Sequence, residues 1–231
     1  MLLYKILFEL IRSLGRVFNY AVPVSYRMMK EVINDHRWDQ KLGIDTSWYP
    51  LLTSRNVCSL AGASKDGTRY EALSYRRLIG LADTLKPGDQ DVFVDLGCGK
   101  ARVPLLMSTR KVKKAIGVEY DEGLAAMARH NLASLKMPHS SVEIIRADAA
   151  NFDTSEGTIF YMYNPFGRQT MERVLINIKQ GLSSHPRSIR IVYLNPLCRD
   201  LLSAQDWLVY EGECPASGAA MWRSADKTPP V

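Results

Sequence analysis

Four short clusters in this 231-residue chain carry side chains that could do chemistry together: Asp95-Leu-Gly-Cys-Gly99, Glu119, Asp148 and Asn164-Pro-Phe-Gly167. In the first, Gly97 and Gly99 allow a tight turn in which bare backbone approaches a ligand and N–H groups point outward. Pro104 suits the first turn of a following helix, where its missing N–H costs nothing. A dinucleotide site would want a third glycine three residues after the second, and that position holds Arg102. Asp95, just before the glycines, would repel a pyrophosphate. A carboxylate there suits a ligand carrying an ammonium group and hydroxyls. Glu119 lies roughly twenty residues past Gly97, where a ribose-binding acid is expected.

The glycine cluster resembles the Asp-x-Gly-x-Gly first motif of the class I S-adenosylmethionine (SAM)-dependent methyltransferases. That resemblance implies SAM as cofactor, held by Asp95, Gly97, Cys98, Gly99, Glu119 and Tyr120. Asp148 and Ala149, after the third strand, would meet the adenine. Cys98 is expected to pack as a small side chain in the turn, without acting as a nucleophile. Asn164-Pro-Phe-Gly167 is similar to the (Asn/Asp/Ser)-Pro-Pro-(Tyr/Phe) motif of methyltransferases acting on planar or amine nitrogens, with Phe166 following Pro165 directly. The resemblance implies Asn164, Pro165 and Phe166 as acceptor-side residues, with Asn164 also beside the cofactor. The plainer alternative is a turn with Phe166 covering the cofactor. In this family a helix before the first strand often closes the methionine end of the SAM site, which makes Tyr70 and Tyr75 further candidates. Asn195, at a neighbouring strand end, could line the same pocket. Gly43-Ile-Asp-Thr46, the Tyr70–Tyr75 segment, the glycine motif and Phe160–Gly167 together resemble bacterial members of undefined substrate, so the acceptor stays unidentified.

These residues need a sheet to position them. Val92–Val94 is a β-branched and aromatic run suited to a strand buried on both faces. Ala115–Glu119, Val142–Asp148, Thr158–Tyr163 and Ser188–Leu194 read as further strands, with Trp207–Glu211 and Ala219–Arg223 completing the set. Helices are expected over Val24–Lys41, from the Tyr70–Gly80 stretch up to Lys86, over Asp121–Leu135 and Gln169–Lys179, and near Leu197–Ser203. The resemblance implies an α/β, Rossmann-like seven-stranded sheet of order 3-2-1-4-5-7-6, strand 7 antiparallel. Residues 1–50 are expected to form an N-terminal helical extension and 51–231 the SAM-dependent methyltransferase domain.

Bulk properties exclude little. The net charge of +6 leans weakly towards an acidic partner, but the basic residues are scattered and nucleic acid is not indicated. The four cysteines form neither a zinc pattern nor a disulfide scaffold, so no metal is expected and the thiols should be reduced, as in a cytoplasmic protein. In residues 1–18, Lys5, Glu9, Arg12 and Arg16 share one stripe of an otherwise apolar helix. Those charges argue against a transmembrane span. This helix would pack on the catalytic domain or on a second subunit, or residues 1–22 would lie on a membrane surface, which alone would place the chain peripherally on the membrane. Three functions compete: a methyltransferase acting on a nitrogen, a non-catalytic SAM- or nucleotide-binding protein working through partners, and a nicotinamide-dependent oxidoreductase. Asp95 and Arg102 disfavour the last.

Overall fold

The computed structural model describes residues 22–47 and 70–225. The expected helix over residues 1–18, the loop from Ser54 to Thr68 and the tail beyond Ala225 lie outside them. Among the described residues, seven strands form one sheet of order β3-β2-β1-β4-β5-β7-β6. They are β1 (Val92–Leu96), β2 (Lys114–Glu119), β3 (Ser141–Arg146), β4 (Ile159–Tyr163), β5 (Arg190–Leu194), β6 (Leu208–Glu213) and β7 (Ala220–Ser224). β7 runs antiparallel to β5 and β6, and the remaining neighbours are parallel. This is the expected sheet. The chain steps outward from β1 through β2 to β3, then returns to β4 on the other side of β1. That reversal opens a crevice beyond the carboxyl ends of β1 and β4, where ligands of open α/β sheets bind.

The alternation of each strand explains the two cores. Every residue of β1 is buried. Phe93, Tyr161, Val192 and Leu194 face one core, together with Leu78 and Leu81 of α2 (Tyr75–Leu85). Val94, Leu96, Phe160 and Met162 face the other, beneath Met171, Val174, Leu175 and Ile178 of α5 (Arg168–Ser184). The apolar stripe of α5 is the one read from sequence, but the helix runs on to Ser184 instead of stopping at Lys179. The remaining helices are α1 (Val22–Leu42), α3 (Arg102–Met107), α4 (Glu122–Ser134) and α6 (Arg199–Ser203).

The described part of the expected extension is built into the same body. Leu42 and Ile44 lie in the α2-side core. The join is polar and centred on Arg102, whose side chain is 2% exposed. Its Nη1 donates to Asp35 Oδ2 at 2.7 Å and to the Leu73 carbonyl at 3.0 Å, and its Nε donates to Thr46 Oγ1 at 2.7 Å. Asp39 accepts from the Thr46 amide and hydroxyl and from the Tyr75 hydroxyl, the last at 2.6 Å. A buried charge of this kind is tolerated because each of its three nitrogens finds an oxygen, Nη2 through the Thr46 carbonyl at 3.2 Å.

Removing one partner strands the other. Arg102→Ala is expected to lower unfolding free energy by about 3–5 kcal/mol, read from urea denaturation, because Asp35 keeps a buried, unpaired charge. Replacing the pair together, Arg102→Met with Asp35→Leu, should cost clearly less. Equal losses would show that packing, not charge, is what Arg102 supplies.

Candidate active site

The glycine turn is shaped by its neighbours. Gly97 has φ +86°, and a Cβ there would stand 2.4 Å from Pro165 Cβ, so the turns after β1 and β4 touch through bare backbone. Gly99 has φ +56°, and a Cβ there would lie 2.3 Å from two carbons of the Tyr70 ring. Tyr70 is anchored by its hydroxyl, which donates to the Thr46 carbonyl at 2.9 Å. Lys100 Nζ sits 5.6 Å from the ring centroid and donates to the Ser47 carbonyl at 2.7 Å. The Gly43–Thr46 stretch therefore acts as a strut beneath Tyr70. Asn131 of α4 fixes that strut, its side chain bonding the Asp45 amide and carbonyl and the Lys100 carbonyl.

Two acids stand near the carboxyl ends of the neighbouring strands β1 and β2. Glu119 Oε2 accepts from the Gly99 amide and Oε1 from the Asp121 amide, each at 2.8 Å. With the Tyr120 amide beside them these bonds hold the carboxylate in place, and a carboxylate so held suits the hydroxyls of a ribose. Burial pushes the Glu119 carboxyl pKa up against the pull of those amides. The carboxyl of Asp95, 2% exposed, is held well above the usual carboxylate range, first by burial and then by the Glu119 charge. Two crowded, buried carboxyls favour a cation and oppose a pyrophosphate.

The other candidates divide. Tyr120 is 48% exposed beside Glu119. Asp148 is half-buried, with Oδ1 accepting from the Ala150 amide and Oδ2 from Asn151; Ala149 packs under it in the α5-side core. Cys98 is buried against Gly117, and burial raises its thiol pKa, as suits a packing residue. Asn164 adopts φ +40°, and its Oδ1 accepts from the Tyr193 hydroxyl at 3.3 Å. Asn195 repeats the left-handed backbone, at φ +49° and exposed.

Two expectations need correction. Tyr75 is fully buried, stacked on Trp38 at 5.7 Å and bonded to Asp39, so it supports the wall without facing the crevice. Phe166 is 7% exposed and belongs to the α5-side core, because the turn at Asn164 directs it inward under the helix. Sequence reasoning missed Tyr193 as the partner of Asn164; its place on the strand beside β4, at the Tyr-Leu-Asn-Pro end, was the available signal.

No protein-family model matches the chain. A curated relative from Caenorhabditis elegans, the histone-lysine N-methyltransferase, H3 lysine-79 specific, is 28% identical over 134 residues. The match takes in 52% of this chain and spans only 14% of that protein. Among solved structures, the human methyltransferase 10 domain containing protein aligns at a TM-score of 0.53 and 13% identity, covering 84% of this chain and 95% of its own. An RNA methyltransferase from Salinibacter ruber, in complex with S-adenosyl-L-homocysteine, aligns at 0.46 and 19%, over 69% of this chain and 97% of its own. By its sheet order and by the likeness to the human protein, the chain has the class I SAM-dependent methyltransferase fold.

Proposed function

We propose that the chain is a SAM-dependent methyltransferase that acts on a nitrogen of a protein or small-molecule acceptor. The observation that carries this reading is the Glu119 carboxylate, fixed by the Gly99 and Asp121 amides beside a glycine turn that is exposed at Gly97. Bound SAM supplies an electrophilic methyl group on a sulfonium. Around it, Glu119 would take the ribose hydroxyls, Asp95 the ammonium group, and Asp148 with Ala149 the adenine. Tyr70 walls the methionine end, and Tyr120 stands at the mouth. Asn164 and Pro165 close the acceptor side, where the Tyr193 hydroxyl donates to the amide oxygen and orients it. Methyl transfer asks chiefly for alignment and exclusion of water, and a dry, rigid crevice edge supplies both. The nematode relative's name, which specifies lysine, supports nitrogen as the target.

Glu119→Ala should weaken SAM binding by roughly tenfold to a hundredfold, the worth of a hydrogen bond to a charged group. Glu119→Gln should not rescue it, because the amide NH2 would face the Gly99 or Asp121 donor. Calorimetry with SAM, S-adenosylhomocysteine and NAD reads both effects. Unchanged SAM affinity in a folded Glu119→Ala protein, or preference for NAD, sinks the assignment.

Asn164→Ala should lower methyl transfer from labelled SAM into cell-extract acceptors by about tenfold to a thousandfold, as when one positioned polar group is lost. SAM affinity should hardly move. A variant that loses SAM and not turnover would make Asn164 a cofactor ligand.

A further inference from the structure

The N-terminus of α2 stands at the edge of the crevice. At its far end the Leu85 carbonyl accepts from Arg190 Nη1 at the start of β5, so the helix begins at the carboxyl edge of the sheet. Ser74 caps it, heading the stripe of Leu78, Leu81 and Leu85 that faces the core. The Ser74 hydroxyl is buried, makes no bond to the helix that it caps, and has no hydrogen-bond partner. On the sheet below, Tyr161 of β4 is 1% exposed, and its hydroxyl also lacks a partner. Tyr161 is in register with Asp95, and both share the face of Phe93. Arg77, on the first turn of α2, donates to the Ser217 carbonyl in the β6–β7 connection, which uses one of the five N–H donors of its guanidinium. Its charge reaches two tyrosines. Burial pushes the hydroxyls of Tyr161 and Tyr163 up, nearby acids add to this, and Arg77 opposes it. The Glu71 carboxylate, exposed at the rim, is engaged by the Tyr163 hydroxyl.

We infer that the α2 N-terminus, with Ser74, Arg77 and Tyr161, forms a carboxylate subsite that takes the acid group of the cofactor's amino-acid end. This rests on the methyltransferase reading and extends it to a choice between intact SAM and its decarboxylated form. The first amides of a helix have no carbonyl within it. In α2 the Leu78 amide is the first to reach one, that of Ser74, and the Tyr75 amide goes to Asp35. The amides of Arg76 and Arg77 are left at the positive end of the helix dipole. A carboxylate accepts hydrogen bonds and donates none, so it is served by amides, hydroxyls and a guanidinium together. This corner supplies all three. Buried hydroxyls almost always have a partner, and two orphans beside one arginine mark a place for an acceptor. Arg77 has no carboxylate partner among the described residues, so a ligand can provide one. An α-amino acid carries its ammonium and its carboxylate on one carbon, and its binders must therefore be an acid and a base close together. Asp95 and Arg77 meet that demand, since both lie near enough to Tyr161 to act on its hydroxyl. Tyr70, four residues before the Ser74 cap, walls the same end of the crevice.

Calorimetry on the full chain tests this with S-adenosylhomocysteine and its decarboxylated analogue, which keeps the amine and lacks the acid. The wild-type chain should bind S-adenosylhomocysteine about tenfold to a hundredfold more tightly, the worth of hydrogen bonds to a charged group. Arg77→Gln should cut that preference to within about threefold, by weakening S-adenosylhomocysteine while the analogue stays within about twofold. Ser74→Ala should reduce the preference by less, and it removes no capping bond, so the helix keeps its start. A wild-type chain that binds the two ligands equally well overturns the subsite and leaves the methyltransferase reading standing. So does a preference that both variants retain in full. An equal loss of both ligands in both variants also overturns it, by making these residues purely structural. If the wild-type chain binds no S-adenosylhomocysteine, the methyltransferase reading itself falls, and the subsite with it.

Discussion

The Arg102 guanidinium is the constraint on which the rest of this structure hangs. It occupies the first position of the helix that follows the glycine turn, and it is almost wholly withdrawn from water. Withdrawing it is costly, several kcal/mol in an effective sense, and that cost is offset only while Asp35, Thr46 and the Leu73 carbonyl stay in place. Those three partners come from α1, from the strut after it and from the segment leading into α2. Fixing one side chain therefore fixes three separate stretches against the turn that meets the ligand. A lysine could not do this, because it lacks the planar fork that reaches several oxygens at once.

The strut transmits that rigidity to the site. Thr46 bonds Arg102 with its hydroxyl and receives the Tyr70 hydroxyl on its carbonyl, so the ring lying on Gly99 is two bonds from the buried charge. On the other side Gly97 is pressed against Pro165. The glycine turn is thus clamped between Tyr70 and the β4 end, and its amides keep one orientation. With that geometry fixed, Glu119 receives the Gly99 amide of the turn and the Asp121 amide beyond its own strand, and Asp95 sits in the field of Glu119. The crevice is polarised to take positive charge before any ligand arrives.

Much of this was legible in the sequence, for local reasons. Buried parallel strands advertise themselves as β-branched runs, and acids at their ends mark the carboxyl edge of the sheet, so Asp95, Glu119 and Asp148 could be placed from spacing alone. Strand and helix limits shifted by a few residues, as termini do. Arg102 was legible only as a missing glycine. A charged residue near a helix start reads as solvated, and its partner Asp35 lies 67 residues away, a separation with no periodic trace. Tyr75 and Phe166 were misplaced for a related reason: an aromatic beside a motif looks available until packing shows which way it points.

Asn164 and Asn195 show how strain separates a site from a turn. Both end neighbouring parallel strands, both precede proline, and both take a left-handed backbone that a residue before proline seldom adopts. The shared conformation has a structural cause, since each must leave the sheet abruptly at its carboxyl edge. Their surroundings differ. Asn195 is exposed beyond the β5 end. Asn164 is half-buried at the reversal of strand order, with its amide oxygen held by Tyr193 from the adjoining strand. Strain that merely turns the chain needs no such anchor. An anchored, strained amide beside a crowded pair of carboxyls has a defined direction, and direction is what an in-line displacement requires.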